Sequence, residues 1–167
     1  MYSSSGKIKR DKTPAEALDV ARWLCAKMER TASDIRRSLF RWGVRDADEQ
    51  NKIIAILVRE QFVDHRRYAA AFVRDKLSAG RWGAAKIVLA LKQKGIDEEI
   101  IQESMLDNVD NNAMFLKLKL DLTKWYVSDA PKAKDPYILR QRLFRRAASR
   151  GFDLDDINTI LNSLFND

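Results

Sequence analysis

Side chains capable of covalent chemistry are scarce in this 167-residue sequence, and cationic ones are plentiful. There is one histidine, His65, and one cysteine, Cys25. His65 stands beside Arg66 and Arg67, with no second histidine to complete a zinc set, so it reads as a surface helix residue. Cys25 lies among Trp23, Leu24 and Met28 and reads as a small buried thiol. A single cysteine cannot form an intramolecular disulfide, and an oxidising compartment is not indicated. Gly80-Arg81-Trp82-Gly83 is glycine-rich but lacks the Walker pattern and a preceding strand, so it reads as a turn between helices. Carboxylates gather at helix starts, where capping accounts for them. No Ser or Thr has a partnered base. These residues give no catalytic site, no metal site and no cofactor.

The remaining chemistry is anion binding. Lys and Arg number 31 against 24 Asp and Glu, a formal net charge of +7 that points to an anionic partner. After Pro136, a turn of about 100° per residue sets Leu139, Leu143 and Ala147 on one side of a helix. Arg142, Arg145 and Arg146 project from the adjoining side, with no acidic residue within one turn on that helix. Arg67 and Arg74 lie two turns apart on one face of the helix after Asp64, and Arg81 stands in the following turn. These six arginines are the candidate contacts, because a guanidinium suits bidentate contact with phosphate. The competing reading is that they only solvate helix faces, as Lys86, Lys92 and Lys94 do around theirs. Sequence-specific base reading is disfavoured, since the helices after Gly43 and Gly95 open with Asp46, Asp48, Asp97, Glu98 and Glu99, which repel phosphate.

Helices must carry these residues. Only 6 Gly and 3 Pro leave little room for the turns of a β-sandwich, while 46% hydrophobic residues suffice for a core. Residues 1–12 lack periodicity and read as a disordered basic arm, in which Lys7, Lys9, Arg10 and Lys12 could touch a phosphate backbone. Thr13-Pro14-Ala15-Glu16 is a cap, a first-turn proline and a capping-box glutamate. Helices are then expected through Leu18–Met28, from near Ser33, and from Asp46 or Asp48. Three more follow from Asp64, after Gly83 and from Asp97. The last three run from near Asn111, from Asp135-Pro136 and from Asp153. Trp23, Trp42 and Trp125 read as core, and Trp82 as an exposed loop residue. Gly43, Gly95 and Gly151 each end the second helix of a block, with Ile35, Ile87 and Leu143 eight residues earlier. This is a repeat with a period near 50 residues, each unit too small to bury its apolar face alone. The expected fold is all-α: three tandem three-helix repeats over 13–63, 64–107 and 108–167, forming an elongated, curved array. No apolar stretch has the length of a membrane span or a signal, so a soluble, cytoplasmic protein is expected.

The stretch from Phe62 to Ile96 carries a resemblance. Val63-Asp64 precedes Arg67-Tyr68-Ala69, then come Gly80-x-x-Gly83, Ile87, Leu91 and Lys94-Gly95-Ile96. This order resembles the middle repeat of the RecX family, bacterial regulators of the RecA recombinase. That family is described as three tandem three-helix repeats, so the resemblance extends over roughly residues 14 to 165. It implies a non-enzymatic regulator that binds RecA–DNA filaments and inhibits recombinase and associated ATPase activity. The implied partners are the RecA filament and single- or double-stranded DNA through phosphate contacts, with the chain as a monomer. Two other readings stay open: a sequence-nonspecific nucleic-acid-binding helical protein, and a protein-only helical scaffold.

Overall fold

The computed structural model describes residues 11–166. Among them are nine α-helices and no strand: α1 Pro14–Lys27, α2 Ala32–Arg41, α3 Ala47–Arg59, α4 His65–Ser78, α5 Ala84–Gln93, α6 Glu98–Asn108, α7 Asn111–Asp129, α8 Pro136–Ala148 and α9 Leu154–Asn166. A 3-10 turn, Ala130–Lys132, follows α7. The chain divides into two compact units, one ending at Tyr68 and one starting at Ala69. Most of the expected arm, residues 1–10, lies outside the described residues. Lys12 donates its backbone N–H to the Trp42 carbonyl at 2.7 Å.

In the first unit, Thr13 and Glu16 form the expected capping box, with the Thr13 N–H on Glu16 Oε2 at 2.8 Å. α2 starts at Ala32, near Ser33 as expected. Thr31 is its cap, fully buried and paired with Asp34 in a second capping box, so Ser33 is already helical. Asp46, and not Asp48, caps α3 by accepting the Glu49 N–H at 2.9 Å. Ala17, Ala21, Cys25, Ile35, Leu39, Val44, Ile53, Ile54, Leu57 and Val63 make the core. The fully buried side chains of α1 are all small, with Leu18 packed partly buried beside them, and two expected core residues lie outside. Trp23 is 56% exposed, with the Lys27 ammonium 3.8 Å from its ring centre, and Met28 is exposed as well. Trp42 is only partly buried against the same core. His65 is half-buried, and its Nε2 accepts the Ala32 N–H at 3.4 Å, so the ring serves the start of α2 as well as α4.

In the second unit, Leu118, Leu122, Trp125, Leu139, Leu143, Ala147, Phe152, Ile157, Ile160 and Leu161 form one cluster across α7, α8 and α9. Ala69, Val73, Ile87, Leu91, Ile96 and Ile101 are the buried hydrophobic residues of the second unit in α4 to α6 and their turns. The repeat is visible residue by residue. Ile35, Ile87 and Leu143 are buried alike, as are Val44, Ile96 and Phe152, each directly after a glycine. Those glycines, Gly43, Gly95 and Gly151, have φ of 97°, 74° and 80°, the left-handed region that ends a helix cheaply only without a Cβ. α3 ends the same way at Gln61, with φ 59°.

Candidate functional site

α8 is started by Asp135, which accepts the Tyr137 N–H at 2.7 Å, with Pro136 in the first turn. Leu139, Leu143 and Ala147 are buried as expected, and Arg142, Arg145 and Arg146 are all exposed beside them. The three guanidiniums are not equivalent. Arg142 Nη2 lies 3.3 Å from Asp129 Oδ2, a carboxylate supplied by the end of α7 rather than by α8 itself. Arg146 stacks over the buried Trp125 ring at 4.1 Å, and Arg150 lies 4.5 Å from the same ring. Arg145 is open to solvent.

The other three candidates divide the same way. Arg67 is held: its Nε lies 2.5 Å from Glu29 Oε1, and Nη2 donates to the Gln61 carbonyl at 2.9 Å. The Glu29 hydrogen bond also pushes the Arg67 pKa further up, so the charge is permanent. Arg74 is exposed and reaches Asn108 Oδ1 at 3.4 Å, a neutral acceptor. Arg81 is exposed in the turn between α4 and α5.

That turn explains the glycine-rich motif. Gly80 has φ 62°. The Gly83 N–H donates to the Arg150 carbonyl at 2.8 Å, and the Ala85 N–H to the Gly151 carbonyl at 3.1 Å. Amides that would cradle a phosphate are therefore consumed in joining the start of α5 to the end of α8. The joint places the turn bearing Arg81 against the end of the helix bearing Arg142, Arg145 and Arg146. Trp82 is half-buried, not free: its ring meets Phe72 edge-on at 6.1 Å, with the Lys76 and Lys86 ammoniums 5.5 and 5.1 Å from its centre.

Cys25 is buried, and desolvation pushes its thiol pKa up, the opposite of an activated nucleophile. Among the described residues no group of three or more His, Cys, Asp or Glu could hold a metal ion, and no helix is long and apolar enough to cross a membrane. Sequence reasoning passed over one basic group, the arginines of α2. The signal was present, since Arg37 and Arg41 are one turn apart and Phe40 lies between them.

The fold and the arginine faces define an all-helical protein built from three-helix units, with its chemistry in exposed cations. A family model described as RecX, second three-helix domain, matches residues 64–105. The regulatory protein RecX of Clostridium perfringens (strain 13 / Type A) is 31% identical over 142 residues, covering 84% of this chain and 64% of the relative. That of Lactococcus lactis subsp. cremoris (strain SK11) is 21% identical over 153 residues, covering 90% of this chain and 55% of the relative. The chain thus spans less than two thirds of these curated relatives. The crystal structure of RecX from Lactobacillus salivarius superposes with a TM-score of 0.74 at 20% identity, covering 90% of this chain and 96% of that one. A second crystal structure, of regulatory protein RecX, gives a TM-score of 0.78 at 22% identity, covering 88% and 72%. At those identities the structures establish the fold. The sequence matches carry the likeness further: residues 64–105 match the second three-helix domain of RecX, and 84% of the chain is similar to a regulatory protein RecX.

Proposed function

We propose that this protein is a non-enzymatic regulator that binds RecA–DNA filaments and restrains recombinase and ATPase activity. The similarity to regulatory proteins RecX supports the RecA partner, and the exposed arginines of α8 and of the α4–α5 turn support a phosphate contact. Regulation then works by occupying the filament, with no bond made or broken. The test adds the chain to RecA, single-stranded DNA and ATP. ATP hydrolysis and strand exchange should fall, and pull-down on RecA-coated DNA should exceed that on naked DNA. Arg81→Glu/Arg145→Glu should weaken filament binding at least tenfold, since attraction becomes repulsion at two positions, while leaving the helical circular dichroism intact. Unchanged ATP hydrolysis at a saturating ratio to RecA from the same source would reject this reading. Equal capture by naked DNA would favour a plain nucleic-acid-binding protein.

A further inference from the structure

The first unit contains a basic cleft that no candidate residue named so far occupies. Its volume is about 720 Å³, and it is lined by Arg30, Arg36, Arg37, Arg41, Phe40 and Asp34, over Ser38 and Gln50. Four guanidiniums therefore share it with one carboxylate. That carboxylate is already used. Asp34 accepts the Thr31 N–H at 3.5 Å in the capping box of α2 and also receives Arg37 Nη2. Two of the remaining arginines meet neutral acceptors: Arg36 Nη2 reaches Asn51 Oδ1 at 2.9 Å, and Arg41 Nη2 reaches Ser38 Oγ at 3.2 Å. The Nε of Arg30 is buried with no hydrogen-bond partner among the described residues. A buried charged donor without an acceptor is costly, and an anion in the cleft would satisfy it once the Arg30 side chain turned toward the opening.

Phe40 specifies the anion further. It lines the same cleft and leaves 57% of its surface exposed, although a phenylalanine at a helix end gains nothing from water. Guanidiniums for backbone phosphates beside an open aromatic ring form the pairing that holds unpaired nucleotides, the ring stacking on a base that a duplex keeps inside. We infer that the cleft of Arg30, Arg36, Arg41 and Phe40 binds single-stranded nucleic acid, with phosphate on the arginines and a base on Phe40. The inference rests on the nucleic-acid contact in the proposed function, but assigns it to a different unit and to one kind of strand.

The full chain is titrated into fluorescein-labelled dT12 and into a labelled 12-base-pair duplex, following anisotropy at several salt concentrations. Phe40→Ala should weaken dT12 binding roughly tenfold, as expected for one lost stacking contact, and leave duplex binding within twofold. Arg36→Gln/Arg41→Gln should weaken both and lower the slope of log affinity against log salt for dT12 by about 1.4, from two lost contacts at ~0.7 each. Circular dichroism checks folding. Because Arg36 also holds Asn51 of α3, Arg41→Gln alone is a second variant, expected to lower the slope by about 0.7. The Arg30 Nε–H resonance of the unmutated chain should also shift on addition of dT12. Wild-type dT12 binding in folded Phe40→Ala and Arg41→Gln would overturn the inference. So would displacement of dT12 by ATP at equal concentration, which would mark a free-nucleotide site. Absent dT12 binding together with intact inhibition of RecA would sink the cleft and leave the filament reading standing.

Discussion

Replacing Gly83 by alanine tests the joint that positions Arg81. Gly83 caps α5 with φ −86° and ψ 172°, backbone that any residue adopts. On backbone grounds alone, alanine there should stabilise by about 0.4–1 kcal/mol through the unfolded chain. The surroundings reverse that sign. A Cβ on Gly83 would collide with the carbonyl group of Gly151 and the nitrogen of Phe152, all main-chain atoms that no rotamer change can move. Relief requires the start of α5 to withdraw from the end of α8. That strains the Gly83 N–H to Arg150 bond at 2.8 Å and the Ala85 N–H to Gly151 bond at 3.1 Å. Overpacking of this kind costs about 1–3 kcal/mol, and weakening two hydrogen bonds adds roughly 1 kcal/mol. Gly83→Ala should therefore destabilise the second unit by about 2–4 kcal/mol. Urea unfolding followed by Trp fluorescence measures it, with Leu143→Ala as a core control at about 2–5 kcal/mol. A stabilised or unchanged Gly83→Ala protein would refute the joint.

Two further predictions concern the first unit. Gln61 holds the left-handed backbone that ends α3, at a cost of about 1–2 kcal/mol for a residue with a Cβ. Gln61→Gly should raise stability by about 0.5–1 kcal/mol after glycine's own entropy is counted, and a lower urea midpoint would contradict it. The Arg22 hydrogen bonds to Glu60, at 2.8 and 2.7 Å, hold the Glu60 carboxyl below its ordinary value near 4.5. A depressed carboxylate contributes stability that is present above that ordinary value and lost as pH falls through the folded one. The urea-midpoint gap between the wild type and Glu60→Gln should therefore close between pH 5 and about pH 3. A gap that stays constant to pH 3 would show the pair to be idle.

The fold was legible because its punctuation is chemical. Thr13 and Asp135 announce helix starts through caps and adjacent prolines, and Gly43, Gly95 and Gly151 announce stops through left-handed backbone. The spacing of Ile35, Ile87 and Leu143 to those glycines exposed the repeat, and all three are buried. Side-chain depth was less legible. Helical periodicity groups Trp23 and Met28 with Ala21 and Cys25, but it does not show that the fully buried residues of α1 are only the small Ala17, Ala21 and Cys25. On α7 the exposed Leu116, Leu120 and Val127 blur the stripe of Leu118, Leu122 and Trp125. The arginine face of α8 was placed correctly on its helix. Its partners were hidden, because Asp129 and Trp125 come from α7, and contact across helices has no signature at one-turn spacing. The α2 cleft was hidden for a related reason: Arg30 precedes the helix and joins Arg37 and Arg41 only through the turn at Thr31.

The unequal engagement of the arginines decides what each can contribute to binding. A guanidinium already on a carboxylate, as Arg67 is on Glu29 and Arg142 on Asp129, must give up one charge-assisted bond to gain another. Its net gain from a phosphate is small, and the released carboxylate then faces that phosphate. Arg146 gives up its contact with Trp125, and charge reversal there uncovers an indole that is otherwise 7% exposed. Reversing Arg142, Arg145 and Arg146 together therefore mixes lost binding with a disturbed α7–α8 contact. Among the described residues Arg145 and Arg81 form no carboxylate pair, and both stand open to solvent, so an incoming phosphate keeps nearly its full attraction to them. By the same reasoning the α2 cleft outranks Arg67 and Arg142: Arg36 and Arg41 trade neutral acceptors for a charged one, and Arg30 Nε trades nothing. A basic surface binds through the cations whose present partners are weakest, and on this chain those are not the arginines with the shortest ion pairs.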